Sequence, residues 1–276
     1  MAIPVRLEKT ALKIIDTVYR FPSYPLPDPA VARSCKIISH RGEYDNRQVL
    51  ENTLDAFDTV TAAGIWGIEF DVRWTRDAKP VVIHDGNMRR LFKSDIDLHR
   101  IRLSELHASH AQIPSLETVI GRYGGRVHLM IEIKATRHPE PHIQNQILGT
   151  VLAGLQPEKD YHLISLDPAV FSAFDFLPSS ALLPIAQLDV AGCSRLARQN
   201  NYGGILGHYA LVSDQRIQKH RAVGQRVGTG FINSLNCLFR EMNRKVEWVF
   251  SDRALALQSA LEGRLSSAGA DHPVKT

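Results

Sequence analysis

Cysteine is scarce in this chain: Cys35, Cys193 and Cys237 are three among 276 residues, odd in number and widely separated. This spacing excludes a disulfide framework and a cysteine-type metal site, and it indicates thiols in a reducing compartment. Long hydrophobic runs are also missing, since no segment reaches the roughly 18 consecutive apolar residues of a membrane span. The N-terminus lacks the apolar run of a signal peptide, so we expect a cytoplasmic protein.

A strong excess of charge of one sign is lacking as well. Lysine and arginine number 33 and aspartate and glutamate 29, which gives a formal net charge of +4. Because no long basic run is present, nucleic acid is not an expected partner, although a mildly basic balance suits a small anionic substrate. The sequence leaves the oligomeric state open.

Two common catalytic motifs are absent. No Gly-x-Gly-x-x-Gly pattern follows the first predicted strand, which argues against a dinucleotide-binding domain. Neither a Gly-x-Ser-x-Gly turn nor an activated-cysteine pattern occurs, so the chain does not present a serine or cysteine nucleophile of a familiar kind.

Short β-rich runs alternate with helical segments eight times from Cys35 onward, which is typical of a parallel sheet with crossover helices. A chain of this length with 44% apolar residues suits one closed (β/α)8 TIM barrel of the α/β class. The predicted strands are 36–40, 67–73, 127–134, 161–166, 181–188, 203–208, 226–232 and 246–251. The predicted helices are 52–63, 115–123, 142–154, 168–176, 190–200, 214–223, 234–244 and 253–262.

Apolar residues recur on one helical face of residues 5–21, with charged residues on the other, which predicts an amphipathic N-terminal helix. Four prolines within residues 22–29 then predict an extended lead-in to the first strand. The helix is expected to cover the bottom of the barrel; reversible docking on a membrane is the less favoured alternative. The predicted domains are 1–34 (helix and proline-rich lead-in), 35–265 (barrel) and 266–276 (flexible tail).

Three acidic residues stand on predicted barrel strands. Glu69 and Asp71 lie two apart on an extended run, so both side chains project to the same face, into the barrel mouth. Adjacent carboxylates repel each other unless a cation lies between them, and Glu132 supplies a third oxygen ligand. An all-carboxylate set favours Mg²⁺ or Ca²⁺ over Zn²⁺. The alternative is that each acid pairs with a local base, for instance Glu69 with Arg73.

Four segments together resemble the glycerophosphodiester phosphodiesterase family, a group of metal-dependent hydrolases. They are Ile38-Ser39-His40-Arg41-Gly42, Gly67-Ile68-Glu69-Phe70-Asp71-Val72, Pro80-Val81-Val82-Ile83-His84-Asp85 and Ile131-Glu132-Ile133-Lys134. The resemblance is tightest over residues 36–134. It implies a barrel of the phospholipase C-like phosphodiesterase type that binds a divalent metal and takes a small phosphodiester as substrate.

The resemblance implies that His40 and His84 are the acid and base of the reaction. Phosphodiester cleavage needs one group to take a proton from the attacking oxygen and another to give a proton to the leaving oxygen, which suits two histidines. Arg41 and Lys134 are predicted phosphate contacts, because a guanidinium binds two phosphate oxygens and a lysine adds a point charge. Their alternative role is surface salt bridging. Gly42 is expected to permit a tight turn.

Glu51-Asn52-Thr53 resembles the family's Glu-Asn-Thr, which implies that Glu51 lies near the metal site as a ligand or a supporting group. Asn52 or Thr53 could equally be an ordinary helix cap.

The substrate pocket departs from the family pattern within residues 227–233, where a glycine stands in place of a tryptophan. This implies a wider pocket, in which Phe231 takes over part of the packing, and it puts glycerol as the defining part of the substrate in question. Gln187 and His208, at the ends of predicted strands, are candidate contacts to sugar-like hydroxyls. His208 could equally be structural.

In the family, the substrate's own neighbouring hydroxyl attacks phosphorus and water then opens the cyclic phosphate. That route suits this chain, since an adjacent hydroxyl has a high effective molarity. Two functions stay open at this stage. The first is hydrolysis of a small glycerol- or polyol-containing diester. The second is a membrane-surface activity of the lysophospholipase D type, in which the N-terminal helix docks the enzyme on lipid.

Overall fold

The computed structural model describes residues 22–270, with side chains through residue 267, so the predicted helix over 5–21 lies outside the described residues. Within residues 22–270 nine strands form a single sheet. They are β1 Lys36–His40, β2 Gly67–Trp74, β3 Pro80–Val82, β4 His128–Ile133, β5 Tyr161–Ser165, β6 Leu182–Ala186, β7 Gly204–His208, β8 Arg226–Gly230 and β9 Trp248–Ser251.

Eight of these strands close into a parallel barrel. Their order around it is β1, β9, β8, β7, β6, β5, β4 and β2, and pairing of β1 with β2 closes the ring. The remaining strand, β3, runs antiparallel to β2 and lies outside the ring. The predicted α/β barrel is therefore confirmed, with each predicted strand within a few residues of an observed one.

Helix α1 precedes the first strand, and the other helices follow the strands in chain order. They are α1 Pro29–Arg33, α2 Leu54–Ala62, α3 Arg89–Phe92, α4 Leu103–Ser109, α5 Leu116–Tyr123, α6 Pro141–Leu152, α7 Val190–Gln199, α8 Asp214–Arg221, α9 Leu235–Asn243 and α10 Ala254–Ala270. The described part of the chain also has three short 3₁₀ helices, at Leu98–Arg100, Pro168–Ala173 and Ser179–Ala181.

The observed elements differ from the predicted ones in four places, and two of the differences have a local cause. Residues 29–33 are helical rather than extended, because Pro29 occupies the first helical position, where its missing N–H is not needed, and Asp28 caps it. The predicted helix 168–176 is a 3₁₀ helix that ends where Phe174 turns extended to bury its ring. Between residues 80 and 109 lie β3, α3 and α4, which the sequence pattern did not predict. Helix α10 continues to Ala270, so it includes the start of the predicted tail.

The barrel interior is packed with apolar side chains, as expected for a small closed barrel. One cluster fills it between the strands: Ile38, Met130, Ile164, Leu183, Leu206, Trp248 and Phe250. A larger core lies between the strands and the surrounding helices. Because all eight barrel strands run in the same direction, residues at their carboxyl ends converge on one mouth. Among residues 22–270 no helix is both long and apolar enough to cross a lipid bilayer.

The opposite, amino-terminal end of the barrel buries two histidines. His128 Nε2 lies 2.9 Å from His162 Nδ1, and the ring of His162 packs edge-on against Trp248. Burial lowers the pKa of His128 to about 4. Burial and the neighbouring His128 lower the pKa of His162 to about 2. Both rings are therefore neutral in the folded protein at physiological pH.

Replacing His162 with Asn should make the protein less sensitive to mild acid. In the unfolded chain these histidines become protonated near pH 6.5, whereas the buried rings of the folded protein stay neutral. The free energy of unfolding of the wild type therefore falls as pH drops below 6.5. Each such histidine contributes a slope of about 1.4 kcal/mol per pH unit. Urea unfolding gives the free energy of unfolding at pH 6.5 and at pH 5.0. The decrease between the two should be smaller by about 2 kcal/mol in His162→Asn than in the wild type.

The matched control for this measurement is His142→Asn, because His142 is exposed on α6 and should leave the pH slope unchanged. An equal loss of stability in the wild type and in His162→Asn would show that the buried ring is not the source of the acid sensitivity.

Candidate active site

A cavity of about 340 Å³ opens at the carboxyl ends of the barrel strands. The structure gathers nearly all of the predicted site residues around it. Those that line it are His40, Arg41, Glu69, His84, Glu132, Lys134, Gln187, His208 and Phe231. Strand register explains part of this convergence, since Glu69 pairs with His40 across β1 and β2, and Asp71 pairs with Glu132 across β2 and β4.

Glu69, Asp71 and Glu132 form a buried carboxylate cluster, each offering an oxygen within 4.8 Å of the others. Burial and the charge of Asp71 raise the pKa of Glu69 and of Glu132. Burial alone would raise the pKa of Asp71 too, but Arg41 and Lys134 outweigh it and hold that pKa low. The cluster therefore concentrates negative charge that the surrounding protein only partly neutralises.

The surroundings of the Glu69 carboxylate indicate whether this cluster suits a metal ion. Neither of its carboxylate oxygens has a hydrogen-bond partner within residues 22–270, although both are buried. An unsatisfied buried carboxylate is costly unless a cation or protons compensate it. Three carboxylates with room for further oxygen ligands fit a hard divalent cation such as Mg²⁺ or Ca²⁺. The residues present therefore fit a divalent metal.

Both histidines of the mouth are held by an aspartate through Nδ1. His40 Nδ1 lies 2.6 Å from Asp252 Oδ1, just after β9, and His84 Nδ1 lies 2.7 Å from Asp85 Oδ1. His40 Nε2 is 3.7 Å from Glu69 Oε2, on the side of the carboxylate cluster. An aspartate on one ring nitrogen fixes the orientation of the ring and leaves the other nitrogen for proton transfer.

The two histidines differ in their electrostatic surroundings. Burial would lower the pKa of His40, but the charge of Glu69 and the hydrogen bond to Asp252 raise it overall. Burial lowers the pKa of His84, and the charge of Asp71 only partly opposes this. Sequence reasoning missed both supporting aspartates as functional residues. Asp85 adjoins His84, and Asp252 directly follows the last barrel strand. Both could have been found by looking for polar residues at or just after the carboxyl ends of strands, as was done for the other site residues.

Arg41 and Lys134 lie inside the cavity but are already paired with acids. Arg41 Nε is 3.0 Å from Asp71 Oδ2, and Lys134 Nζ is 2.6 Å from both Asp71 Oδ1 and Glu132 Oε1. Neither takes part in the surface salt bridges considered as their alternative role, because both side chains are largely buried. They bring positive charge to the carboxylate cluster, and their role as phosphate contacts stays a prediction.

Glu51 lies behind Arg41, outside the carboxylate cluster. Its carboxylate accepts hydrogen bonds from Arg41, Arg90 and Asn46. Despite burial, Arg90 and Arg41 lower the pKa of Glu51 to about 2. In this position Glu51 orients Arg41, which is a supporting role, and it is not among the residues that line the cavity.

The two residues after Glu51 have separate tasks. Asn52 donates from Nδ2 to Asp71 Oδ2 at 2.8 Å and so fixes one carboxylate of the cluster. Thr53 is the N-cap of α2 and accepts from the backbone N–H of Ala56. Gly42 permits the tight turn predicted for it: its φ is +86°, and an added Cβ would lie 2.7 Å from that of Ala56.

The other half of the mouth is apolar. Gln187, His208 and Phe231 line this half as well, and their role as substrate contacts stays a prediction. The ring of Phe231 packs edge-on against His40 at 5.2 Å between centroids, and His208 stacks on Tyr209 at 4.5 Å. Phe231 therefore links the apolar half of the cavity to the histidine of β1.

Comparison with known proteins agrees with this geometry. The model of the glycerophosphoryl diester phosphodiesterase family matches residues 40–202, more than half of the chain. The chain belongs to this family. A glycerophosphodiester phosphodiesterase of Caldanaerobacter subterraneus is 32% identical over 127 residues, which cover 42% of this chain and 51% of that protein. The chain spans about half the length of the curated relatives it matches.

Solved structures of the glycerophosphodiester phosphodiesterase family show the same barrel. One from Thermotoga maritima covers 82% of this chain and 98% of its own, with 20% identity and a TM-score of 0.69. A phosphodiesterase from Oleispira antarctica, solved with the product sn-glycerol-3-phosphate, covers 84% of this chain and 99% of its own, with 23% identity and a TM-score of 0.67. At these identities the likeness shows the fold.

Proposed function

We propose that this chain is a metal-dependent phosphodiesterase that hydrolyses a glycerophosphodiester, or a related polyol or sugar diester, to an alcohol and a phosphomonoester. The observation that carries the proposal is the sharing of one cavity by a buried three-carboxylate cluster and two histidines, each with Nδ1 on an aspartate. The family match and the product found in the Oleispira antarctica structure support glycerol phosphate as part of the substrate.

Glu69, Asp71 and Glu132 would hold Mg²⁺ or Ca²⁺. When bound, such an ion withdraws electron density from phosphoryl oxygens and offsets their negative charge. Arg41 and Lys134 add positive charge on the same side of the cavity, where they attract the phosphate and orient it.

In the first stage of the proposed reaction, the substrate hydroxyl next to the phosphate ester attacks phosphorus. One histidine of the pair His40 and His84 takes the hydroxyl proton at its Nε2, and the other gives a proton to the departing alcohol oxygen. In the second stage water opens the cyclic phosphate and the two histidines exchange roles. Asp252 and Asp85 keep the rings oriented by holding their Nδ1 atoms.

Replacing either His40 or His84 with alanine tests the proton-transfer pair. We expect kcat for a glycerophosphodiester to fall by about 10²–10⁴, the usual contribution of one acid or base, with a much smaller change in KM. The measurement is steady-state release of the phosphomonoester, with circular dichroism to verify that the barrel stays folded.

His142→Ala is the matched control, because this exposed histidine on the outer helix α6 should leave kcat unchanged. Near-normal kcat in both His40→Ala and His84→Ala would show that these residues are not the proton-transfer pair.

A further inference from the structure

Four large apolar side chains are exposed around one part of the barrel mouth. They form the apolar rim: Leu166, 43% exposed, Leu188, 65%, Leu211, 38%, and Phe231, 38%. Only two other large apolar side chains within the described residues reach comparable exposure, Leu26 and Val223. Scattered apolar residues on a surface need no explanation, but a contiguous group commonly marks a binding site.

The position of the rim in the fold makes it contiguous. Leu166 follows β5, Leu188 lies two residues after β6, Leu211 three residues after β7, and Phe231 directly after β8. Consecutive neighbours in the barrel thus each place one apolar side chain at the mouth. The charged residues of the site come from the other side, from β1, β2, β4, the segment after β3 and the residue that follows β9.

The rim continues into the catalytic cavity. All four of its residues line that cavity, and Ile164, Ile185, Leu206 and Phe250 extend the apolar surface inward. Phe231 touches His40 edge-on, so the apolar surface reaches one of the proton-transfer residues directly. A molecule with its phosphate among the charged residues would therefore have its carbon atoms over the apolar rim.

We infer that the substrate is a single-chain glycerophospholipid, whose hydrocarbon chain lies along the apolar rim while its phosphodiester lies among Arg41, Lys134 and the carboxylate cluster. This inference rests on the proposed function and specifies its substrate. A lipid with two acyl chains is excluded, since esterification of the second glycerol hydroxyl removes the group that attacks phosphorus. The products are the free headgroup alcohol and a single-chain glycerol phosphate.

A short series of soluble substrates tests this inference. Glycerophosphocholine has no chain, and its 1-hexanoyl and 1-octanoyl derivatives stay monomeric in solution at low concentration. Each fully buried methylene of a ligand strengthens binding about fourfold. The rim is partly exposed, so each methylene of the acyl chain should contribute less than this. Over the whole hexanoyl chain, kcat/KM should still rise at least tenfold relative to glycerophosphocholine. It should rise again for the octanoyl derivative. The corresponding dihexanoyl phosphocholine should not be cleaved.

Variants of the rim locate the effect. The double variant Leu188→Gln/Leu211→Gln should lower the ratio of kcat/KM for hexanoyl glycerophosphocholine over glycerophosphocholine at least fivefold. Leu188→Met/Leu211→Met keeps an apolar rim and should preserve the ratio. The matched control is Val223→Gln, an exposed apolar residue just after α8, away from the mouth, which should also preserve it.

Different failures have different meanings. If glycerophosphocholine is hydrolysed and its acyl derivatives are not preferred, the lipid inference is overturned and the proposed function stands. If none of these diesters is hydrolysed with Mg²⁺ or Ca²⁺, both are overturned. If Leu188→Gln/Leu211→Gln leaves the ratio unchanged but dissociates a dimer in sedimentation, the rim is a contact between copies of the chain, which also overturns the inference.

Discussion

A diester that lacks the hydroxyl next to its phosphate should be hydrolysed slower by several orders of magnitude than its hydroxyl-bearing parent. Well-oriented intramolecular attack is worth up to about 7–11 kcal/mol over the corresponding bimolecular reaction, and the deoxy analogue forfeits that advantage. In the proposed binding mode the phosphate of the analogue would still contact Arg41 and Lys134, so the analogue should remain a competitive inhibitor. The comparison is kcat for glycerophosphocholine against its 2-deoxy analogue under saturating substrate.

The same comparison distinguishes the two possible nucleophiles. If the 2-deoxy analogue and its parent turn over at similar rates, water attacks phosphorus directly and the substrate hydroxyl has no chemical role. The histidine pair would then still be needed, since direct attack by water also requires proton transfers. This comparison therefore decides whether the nucleophile is the substrate hydroxyl or water, and it does not test the assignment of His40 and His84 as the proton-transfer pair.

Removal of divalent metal should abolish activity, because three carboxylates at one site need a cation to lie close together in their charged forms. Chelation should reduce turnover to background, and Mg²⁺ or Ca²⁺ should restore it. The double variant Glu69→Gln/Asp71→Asn should remain inactive at any metal concentration. It should also lose the rise in melting temperature that a bound ion gives, since at 100 times its Kd an ion stabilises the folded state by about 2.7 kcal/mol.

Glu262→Gln provides the matched control for charge removal, since Glu262 is exposed on α10. It should keep both the activity and the melting-temperature response to metal. Full activity of Glu69→Gln/Asp71→Asn in excess chelator would refute the metal site.

The barrel was predictable because its signals are local. Each barrel strand is a short run of β-branched and other apolar residues that ends near a polar residue, as in Ile38-Ser39-His40 and Ile131-Glu132. The two-residue spacing of Glu69 and Asp71 on one strand predicts that both side chains face the barrel interior, whichever strands lie beside it. Closure of the ring then follows from eight such units in sequence.

What the sequence did not reveal depends on contacts between distant parts of the chain. His40 and Asp252 are 212 residues apart, and only the closure of β9 onto β1 brings them together. Arg41 was predicted to contact phosphate, and this stays a prediction, but the sequence did not show that its guanidinium lies between Asp71 and Glu51. The sequence pattern shows which type of side chain stands at the end of a strand, but it does not show which distant residue that side chain contacts.

The apolar rim was missed for a related reason. Leu188 and Leu211 stand in loops where single apolar residues carry no periodic signal, and they become a surface only when β6 and β7 are neighbours. The segment from β3 to α4 was missed because its elements are short, three to seven residues each, which is too short for a periodic pattern.

The most direct test of the central claim is a phosphorus NMR time course of the purified chain with glycerophosphocholine and Mg²⁺ or Ca²⁺. We predict that the diester signal is replaced by that of glycerol phosphate, with a cyclic phosphate visible in between. The signal should not change when chelator is present or when His40 is replaced by alanine. A diester signal that stays constant with every divalent ion tested would contradict the assignment of this cavity as the active site of a phosphodiesterase.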